Sequence, residues 1–276
     1  METFCSFCGD KDVCWSWRAI ARGASLRDKL LIVLYTAARF RPGAWRLLFK
    51  LTGIRGWCLH LRTPLGKARL VFDALEPVEM SVIDEFLFTT LYLIEARADT
   101  VIDCGAFRGI STIYLSDQAR AGTVIAFEPQ EDNFAFLVQR VQQRLPYAVC
   151  RNEAVGNENS SVCFAGDGVG GSVGTDGVEI VQTRLADLPA IAASRSLLLK
   201  MDVEGAEQWI LPELLTVLPE KCILLLETHF EDGRSEELIR PYIRSGFKAD
   251  RVRARKHPFS EIIYEDWVLK RFHTPE

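Results

Sequence analysis

The chain has 276 residues, 48% of them hydrophobic and 25% charged, which fits one globular domain of about 200 residues with an extension. A formal net charge of −4 gives no case for bulk affinity for nucleic acid, so no nucleic-acid partner is expected. The longest apolar run, Leu30 to Ala38, falls far short of the ~20 residues of a membrane span, and residues 1–25 lack the apolar core of a secretory signal.

The N-terminal part differs in charge from the rest, since residues 1–62 carry 11 Lys/Arg against 4 Asp/Glu. Cys5, Cys8 and Cys14 could supply three zinc ligands, but no fourth lies near them, and no metal is assigned there. The other five cysteines are scattered. Cys104, Cys150, Cys163 and Cys222 sit in apolar strand-like runs, the usage of a reducing compartment, so a cytoplasmic location is expected. Residues 26–52 carry helical spacing in Leu26, Leu30, Val33 and Leu34, then Trp45, Leu48 and Phe49, with a break at Pro42-Gly43. Arg27, Lys29, Arg39, Arg41, Arg46 and Lys50 dominate the polar positions. The segment reads as an amphipathic helical cap. The alternative is peripheral contact with an anionic membrane surface.

Residues 57–73 alternate enough for a short hairpin turning at Thr63–Lys67, and 79–97 read as a helix with Val82, Ile83, Phe86, Leu87 and Ile94 inward. The predicted division is an N-terminal extension over 1–78 and a catalytic domain over 79–276, whose core starts at Asp99. From there strands and helices alternate, which implies a parallel sheet. Strand one is 100–104 and its helix 109–119. Strand two is 123–128, and the next helix runs from Glu131 to about Arg144 with Phe134, Leu137, Val138 and Val141 inward. Strand three lies around 147–150. Residues 160–165 and 178–183 look like extra strands around a loop, Gly166–Gly177, in which six of twelve positions are glycine; it is either a connector or a mobile lid. Strand four, 196–202, is nearly all apolar and therefore buried on both faces. Its helix carries Ala206, Trp209, Ile210 and Leu214. Strand five is 222–228, a helix spans about 234–245, and closing strands cover 247–254 and 261–270. The final pair predicts a seven-stranded, mostly parallel α/β sheet with helices on both faces and one antiparallel strand inserted by the terminal hairpin. A dinucleotide fold would instead continue to a sixth parallel strand.

The stretch Val101–Gly109 is a buried strand feeding a helix through glycines, which frees backbone N–H groups for a ligand. Asp103 at the strand's end would repel a phosphate but attract an ammonium or a ribose hydroxyl. The loop therefore reads as a site for S-adenosylmethionine, a nucleoside with a cationic amino-acid tail. Other strands also end in polar residues at the edge where α/β sheets bind ligands: Glu128, Asn152-Glu153, Asp202, and Glu227-Thr228-His229. Glu128, 25 residues after Asp103, is placed to accept hydrogen bonds from vicinal ribose hydroxyls. Phe107 and Arg108 stand where a diphosphate site needs bare backbone, which argues against NAD.

Four blocks together resemble the FkbM methyltransferases: Asp103 to Thr112, Ala126 to Pro129, Glu153 to Gly156, and Leu199 to Glu207. The resemblance covers about residues 99–229, and Lys200–Glu207 is its most specific part. It implies a class I S-adenosylmethionine-dependent fold and methylation of a hydroxyl on a sugar, glycolipid or secondary metabolite. Carried over, it puts Asp103 and Gly105 beside the methionine and ribose of the cofactor, with Ala106, Phe107, Gly109 and Thr112 in the same loop. Glu128 would hold the ribose hydroxyls, and Phe127 and the Asn152-Glu153-Ala154 turn would border the adenine. The family usually has Asn where this chain has Phe107. A hydroxyl acceptor must lose its proton, so a base is expected near the sulfonium. Asp202, which would also contact the cofactor, is the first candidate, with Glu204 and His229 behind it. A divalent metal on Asp202 and a neighbouring carboxylate is the alternative to a base, and no metal ligand is assigned. Asp202 and Glu204 could instead only cap the following helix. Lys200, in an apolar strand, is expected to pair with a carboxylate across the crevice. His60, His257 and His273 are given no role. Two further readings compete: an NAD(P)-dependent oxidoreductase, and a methyltransferase-like module without turnover.

Overall fold

The computed structural model describes residues 97–167, 170–230, 234–256 and 261–272. Before them it describes strands at 57–63 and 66–72 and the isolated positions 26, 29, 30, 33, 82, 91 and 92. The chain divides into two compact units, 1–95 and 96–276. In the first, β1 (Trp57–Thr63) and β2 (Gly66–Phe72) pair antiparallel with Trp57 opposite Phe72 and Thr63 opposite Gly66. Cys5, Cys8 and Cys14, nearly all of the helices expected over 26–52 and 79–97, and His257 and His273 lie outside the described residues. Among the described residues no helix is long and apolar enough to cross a membrane.

The second unit alternates strand and helix. In chain order it contains β3 (Thr100–Cys104), α1 (Ile110–Ala119), β4 (Thr123–Phe127), α2 (Glu131–Arg144), β5 (Val149–Arg151), β6 (Ala154–Gly156), β7 (Ser160–Asp167), β8 (Gly170–Gly174) and β9 (Val178–Arg184). After these come α3 (Pro189–Ala193), β10 (Ser196–Met201), α4 (Glu207–Leu214), β11 (Lys221–Phe230), α5 (Ser235–Arg244), β12 (Lys248–Lys256) and β13 (Ile263–Arg271). The main sheet has seven strands in the order β12-β13-β11-β10-β3-β4-β5. β5, β4, β3, β10 and β11 run parallel, and β13 is antiparallel to both β11 and β12. The sheet is thus mixed, with the terminal hairpin supplying the inserted antiparallel strand.

Central strands that are apolar throughout are covered on both faces. Ile102, Leu197, Leu199, Leu224 and Leu226 face one core with Ile210, Leu211 and Leu214 of α4 and Tyr242 of α5. Each buried aliphatic side chain contributes roughly 2 kcal/mol of transfer free energy. The strand alternation sends Asp103 and Lys200 to the opposite face, where they are register neighbours on β3 and β10.

The structure corrects four local expectations. The glycine-rich segment 166–177 is not a bare loop: it contains β8, which pairs with β7 in a second sheet of order β6-β9-β7-β8. Small residues leave the backbone free to pair, so this strand has almost no side-chain pattern. Trp209, grouped with Ile210 and Leu214 as an apolar residue of its helix, is 60% exposed. On α2 the buried positions are Asn133, Leu137 and Val141, with Phe134 and Val138 only partly covered. β10 ends at Met201, which leaves Asp202 in the turn beyond the strand.

Candidate active site

The turn after β3 is held by backbone alone at its start. The N–H groups of Gly105 and Ala106 donate to the Phe127 carbonyl at 3.1 and 2.9 Å. Gly105 has φ +77°, and a Cβ there would lie 1.9 Å from the Asp202 carbonyl oxygen, so only glycine fits between β3 and the end of β10. Gly109, φ +82°, is the N-cap of α1, where a Cβ would press on Leu137 and Val141 of α2. Phe107 is also left-handed, with φ 49°. That conformation suits Asn far better than Phe.

Asp103 lies beneath this loop and presents no surface. Ser111 and Thr112 of α1 donate their hydroxyls to its Oδ2, both at 2.7 Å, and Lys200 Nζ stands 3.6 Å from its Oδ1. The same ammonium donates to the Gly105 carbonyl at 2.9 Å and lies 3.4 Å from Asp202. Lys200 therefore ties the glycine loop to two strand ends. Asp103 and Thr112, expected to line the cofactor, act on the loop from below.

Glu128 follows the last residue of β4, next to the loop, rather than ending the strand as expected. Its two oxygens accept the N–H groups of Phe107 at 2.8 Å and Gln130 at 3.0 Å. Burial pushes its carboxyl up to about 7, against those two hydrogen bonds. Asn152 donates to the carbonyls of Glu128 and Pro129 and so fixes the adjoining turn. Glu153 accepts from the Thr183 hydroxyl and pairs with Arg151, and Ala154 is buried at the start of β6. Phe127 needs correction: its ring is 1% exposed and packs into the core, so only its carbonyl reaches the loop.

The third group gathers at the ends of β10 and β11. His229 Nε2 lies 3.5 Å from Glu204, 3.8 Å from Asp202 and 3.8 Å from Glu227. His229 Nδ1–H donates to Glu207 Oε1 at 3.1 Å; that carboxylate also accepts the N–H groups of Val203 and Gly205. Burial disfavours the imidazolium, but the hydrogen bond and charge of Glu207, then Asp202 and Glu204, outweigh it and lift His229 to about 10. Burial raises Glu204 to about 7 against the pull of His229. Glu204 has φ 54°, an uncommon backbone for a non-glycine residue. Neither Asp202 nor Glu204 caps α4: its N-cap is Ala206 without a side-chain bond, and Glu207 satisfies the free amides.

Asp202, Glu204 and His229 thus come together, and Gly105, Ala106, Phe107 and Gly109 form one adjoining loop, which Glu128 holds through the Phe107 N–H. Sequence reasoning gave no role to Glu207 or Ser111, and placed Glu227 only at the ligand-binding edge of the sheet. An acid at the first position of α4, four residues after Val203, was the available signal for Glu207. Asp202, Glu204 and His229 each offer a donor atom, all within 4.8 Å of one another, so this trio could hold a metal ion.

Residues 103–248, more than half of the chain, match the family model of the methyltransferase FkbM domain. No curated protein matches the chain. Among solved structures, TYW2 from M. jannaschii in complex with AdoMet is 12% identical, covering 78% of this chain and 87% of that one, with a TM-score of 0.44. TYW2 from P. horikoshii, in complex with MeSAdo, is 12% identical over 82% of each chain, TM-score 0.42. Precorrin-6y C5,15-methyltransferase from Geobacter metallireducens is 10% identical over 66% of this chain and 84% of that one, TM-score 0.39.

Proposed function

We propose, from the premise that the chain belongs to the FkbM family of S-adenosylmethionine-dependent methyltransferases, that it methylates a hydroxyl group. The acceptor is a sugar, a glycolipid or a secondary metabolite. The methionine part of the cofactor lies along Gly105–Gly109, its ribose hydroxyls donate to Glu128, and its adenine borders the Asn152–Ala154 turn. A hydroxyl oxygen attacks the methyl carbon in line, and the carbon–sulfur electron pair leaves on sulfur as a neutral thioether. The enzyme's task is to align these atoms and take up the hydroxyl proton.

The observation that carries the reading is the Asp202–Glu204–His229 group beside the glycine loop. Asp202 shares its turn with the backbone oxygen that packs on Gly105, so its carboxylate stands next to the expected sulfonium. Glu204, held at about 7, has a carboxyl matched to accept a proton at neutral pH. His229, fixed by Glu207, keeps both carboxylates in place. The test is transfer from labelled S-adenosylmethionine to a panel of hydroxylated acceptors, read by mass. Asp202→Asn and Glu204→Gln should bind cofactor yet lose about 10²-fold or more in turnover. Methylation at nitrogen or carbon, or unchanged turnover in both variants, would overturn the reading.

A further inference from the structure

The geometry points to a divalent-cation site built from Asp202, Glu204 and His229, and we propose that this ion holds the acceptor hydroxyl. Donor–metal bonds of about 2.1 Å place two donors roughly 3.0 Å apart at right angles and about 4.2 Å apart when opposite. The 3.5 Å from His229 Nε2 to Glu204 and the 3.8 Å to Asp202 fall inside that interval.

A second, independent observation concerns the imidazole. His229 is 9% exposed, and its Nε2 makes no hydrogen bond among the described residues although three carboxylates surround it. Its other nitrogen is committed to Glu207, a carboxylate of 0% exposure that also accepts two backbone amides. A buried carboxylate fixing one ring nitrogen so that the other faces oxygen donors is how proteins orient a metal-bound histidine. Charge agrees with this. Asp202, Glu204, Glu207 and Glu227 surround the imidazole, while Arg255 pairs with Glu227 and Lys200 reaches Asp202. A divalent ion would replace the proton on the imidazole Nε2 as the cation among these carboxylates. The two carboxylates suit Mn2+, and an imidazole among the donors disfavours Mg2+.

The ion's binding stands on these distances; its use in catalysis rests on the hydroxyl-methylation reading. An ion held there would acidify the acceptor hydroxyl in place of Glu204 acting as base, the proton passing to solvent water. The freed oxygen would bond the methyl carbon as the carbon–sulfur pair leaves on sulfur.

The test titrates Mn2+ into the metal-stripped full chain and follows free Mn2+ by electron paramagnetic resonance. One ion per chain is expected. His229→Gln and Asp202→Asn should weaken binding at least tenfold, and Glu207→Gln about tenfold through orientation alone. Glu204→Gln, whose side chain is 34% exposed, serves as the variant that leaves packing intact, and circular dichroism checks the fold of each. Mn2+ that stays free, or binds wild type and Glu204→Gln equally, overturns the site. Calorimetry with S-adenosylmethionine on the same samples separates the two proposals. Cofactor binding without Mn2+ binding removes the cation site and leaves methyl transfer standing. Mn2+ binding without cofactor binding supports the cation site and removes the transfer reading.

Discussion

Replacing Gly105 with alanine tests whether the turn after β3 is the cofactor-binding element. A Cβ in a left-handed conformation costs about 1–2 kcal/mol by itself. Here it would also sit 1.9 Å from the Asp202 carbonyl oxygen, well inside the 3.0 Å that real Cβ contacts keep. Either the loop or the turn at 202 must therefore move by about 1 Å. That movement strikes both halves of the site, because Lys200 links the Gly105 carbonyl to Asp202. A misplacement of this size costs on the order of 10²-fold where atoms must be aligned, so cofactor affinity should fall at least tenfold. Gly205→Ala is the control. It too has a positive φ, +103°, but nothing lies within 4 Å of its Cβ. It should lose about 1–2 kcal/mol of stability from the backbone conformation alone and bind S-adenosylmethionine within about threefold of wild type. Isothermal calorimetry gives the affinities and thermal unfolding the stabilities. The reasoning fails if Gly105→Ala binds like wild type, or if both variants lose binding equally.

Phe107→Asn places a residue that tolerates φ 49° at a strained position, and should raise Tm by about 2–4 °C in a thermal scan; an unchanged or lower Tm would count against strain there. Lys200→Met leaves Asp103 buried without its facing ammonium, and urea unfolding should show a loss of about 3–5 kcal/mol, partly restored by adding Asp103→Asn. Glu128 is raised from 4.5 to about 7 in the folded state, so its contribution is fully present below pH 4.5 and is lost as pH rises through 7. Glu128→Gln should therefore gain about 3 kcal/mol relative to wild type between pH 4 and pH 8, measured by urea unfolding at both values. A constant difference between the two proteins would contradict the raised carboxyl.

Much of the second unit was legible because its signals are local. Val101-Ile102 and Leu197-Leu198-Leu199 are apolar runs buried on both faces, and α2 begins at Glu131 and ends at Arg144 as its spacing predicts. The inserted antiparallel strand followed from two strands ending the chain without a helix between them. What escaped depends on the third dimension. β8 has glycine at three of five positions, so its pairing is carried by backbone groups that leave no pattern. Trp209 shares the apolar spacing of α4, yet faces outward. Asp103 carries the right chemistry for a ligand, but strand alternation turns it toward Ser111, Thr112 and Lys200 instead. Glu207 and His229 meet across 22 residues of sequence, and only the packing of α4 against the end of β11 brings them together.

The central claim is that the ends of β3 and β4 hold S-adenosylmethionine, with Glu128 on the ribose. Calorimetric titration of the cofactor into wild type and Glu128→Ala tests it most directly. Two hydrogen bonds to a carboxylate, each of about 1.5 kcal/mol or more, are lost in the variant. The account predicts binding by wild type and affinity at least tenfold weaker in Glu128→Ala, with the fold preserved by circular dichroism. Equal affinity in the two proteins, or no heat with wild type, would contradict it.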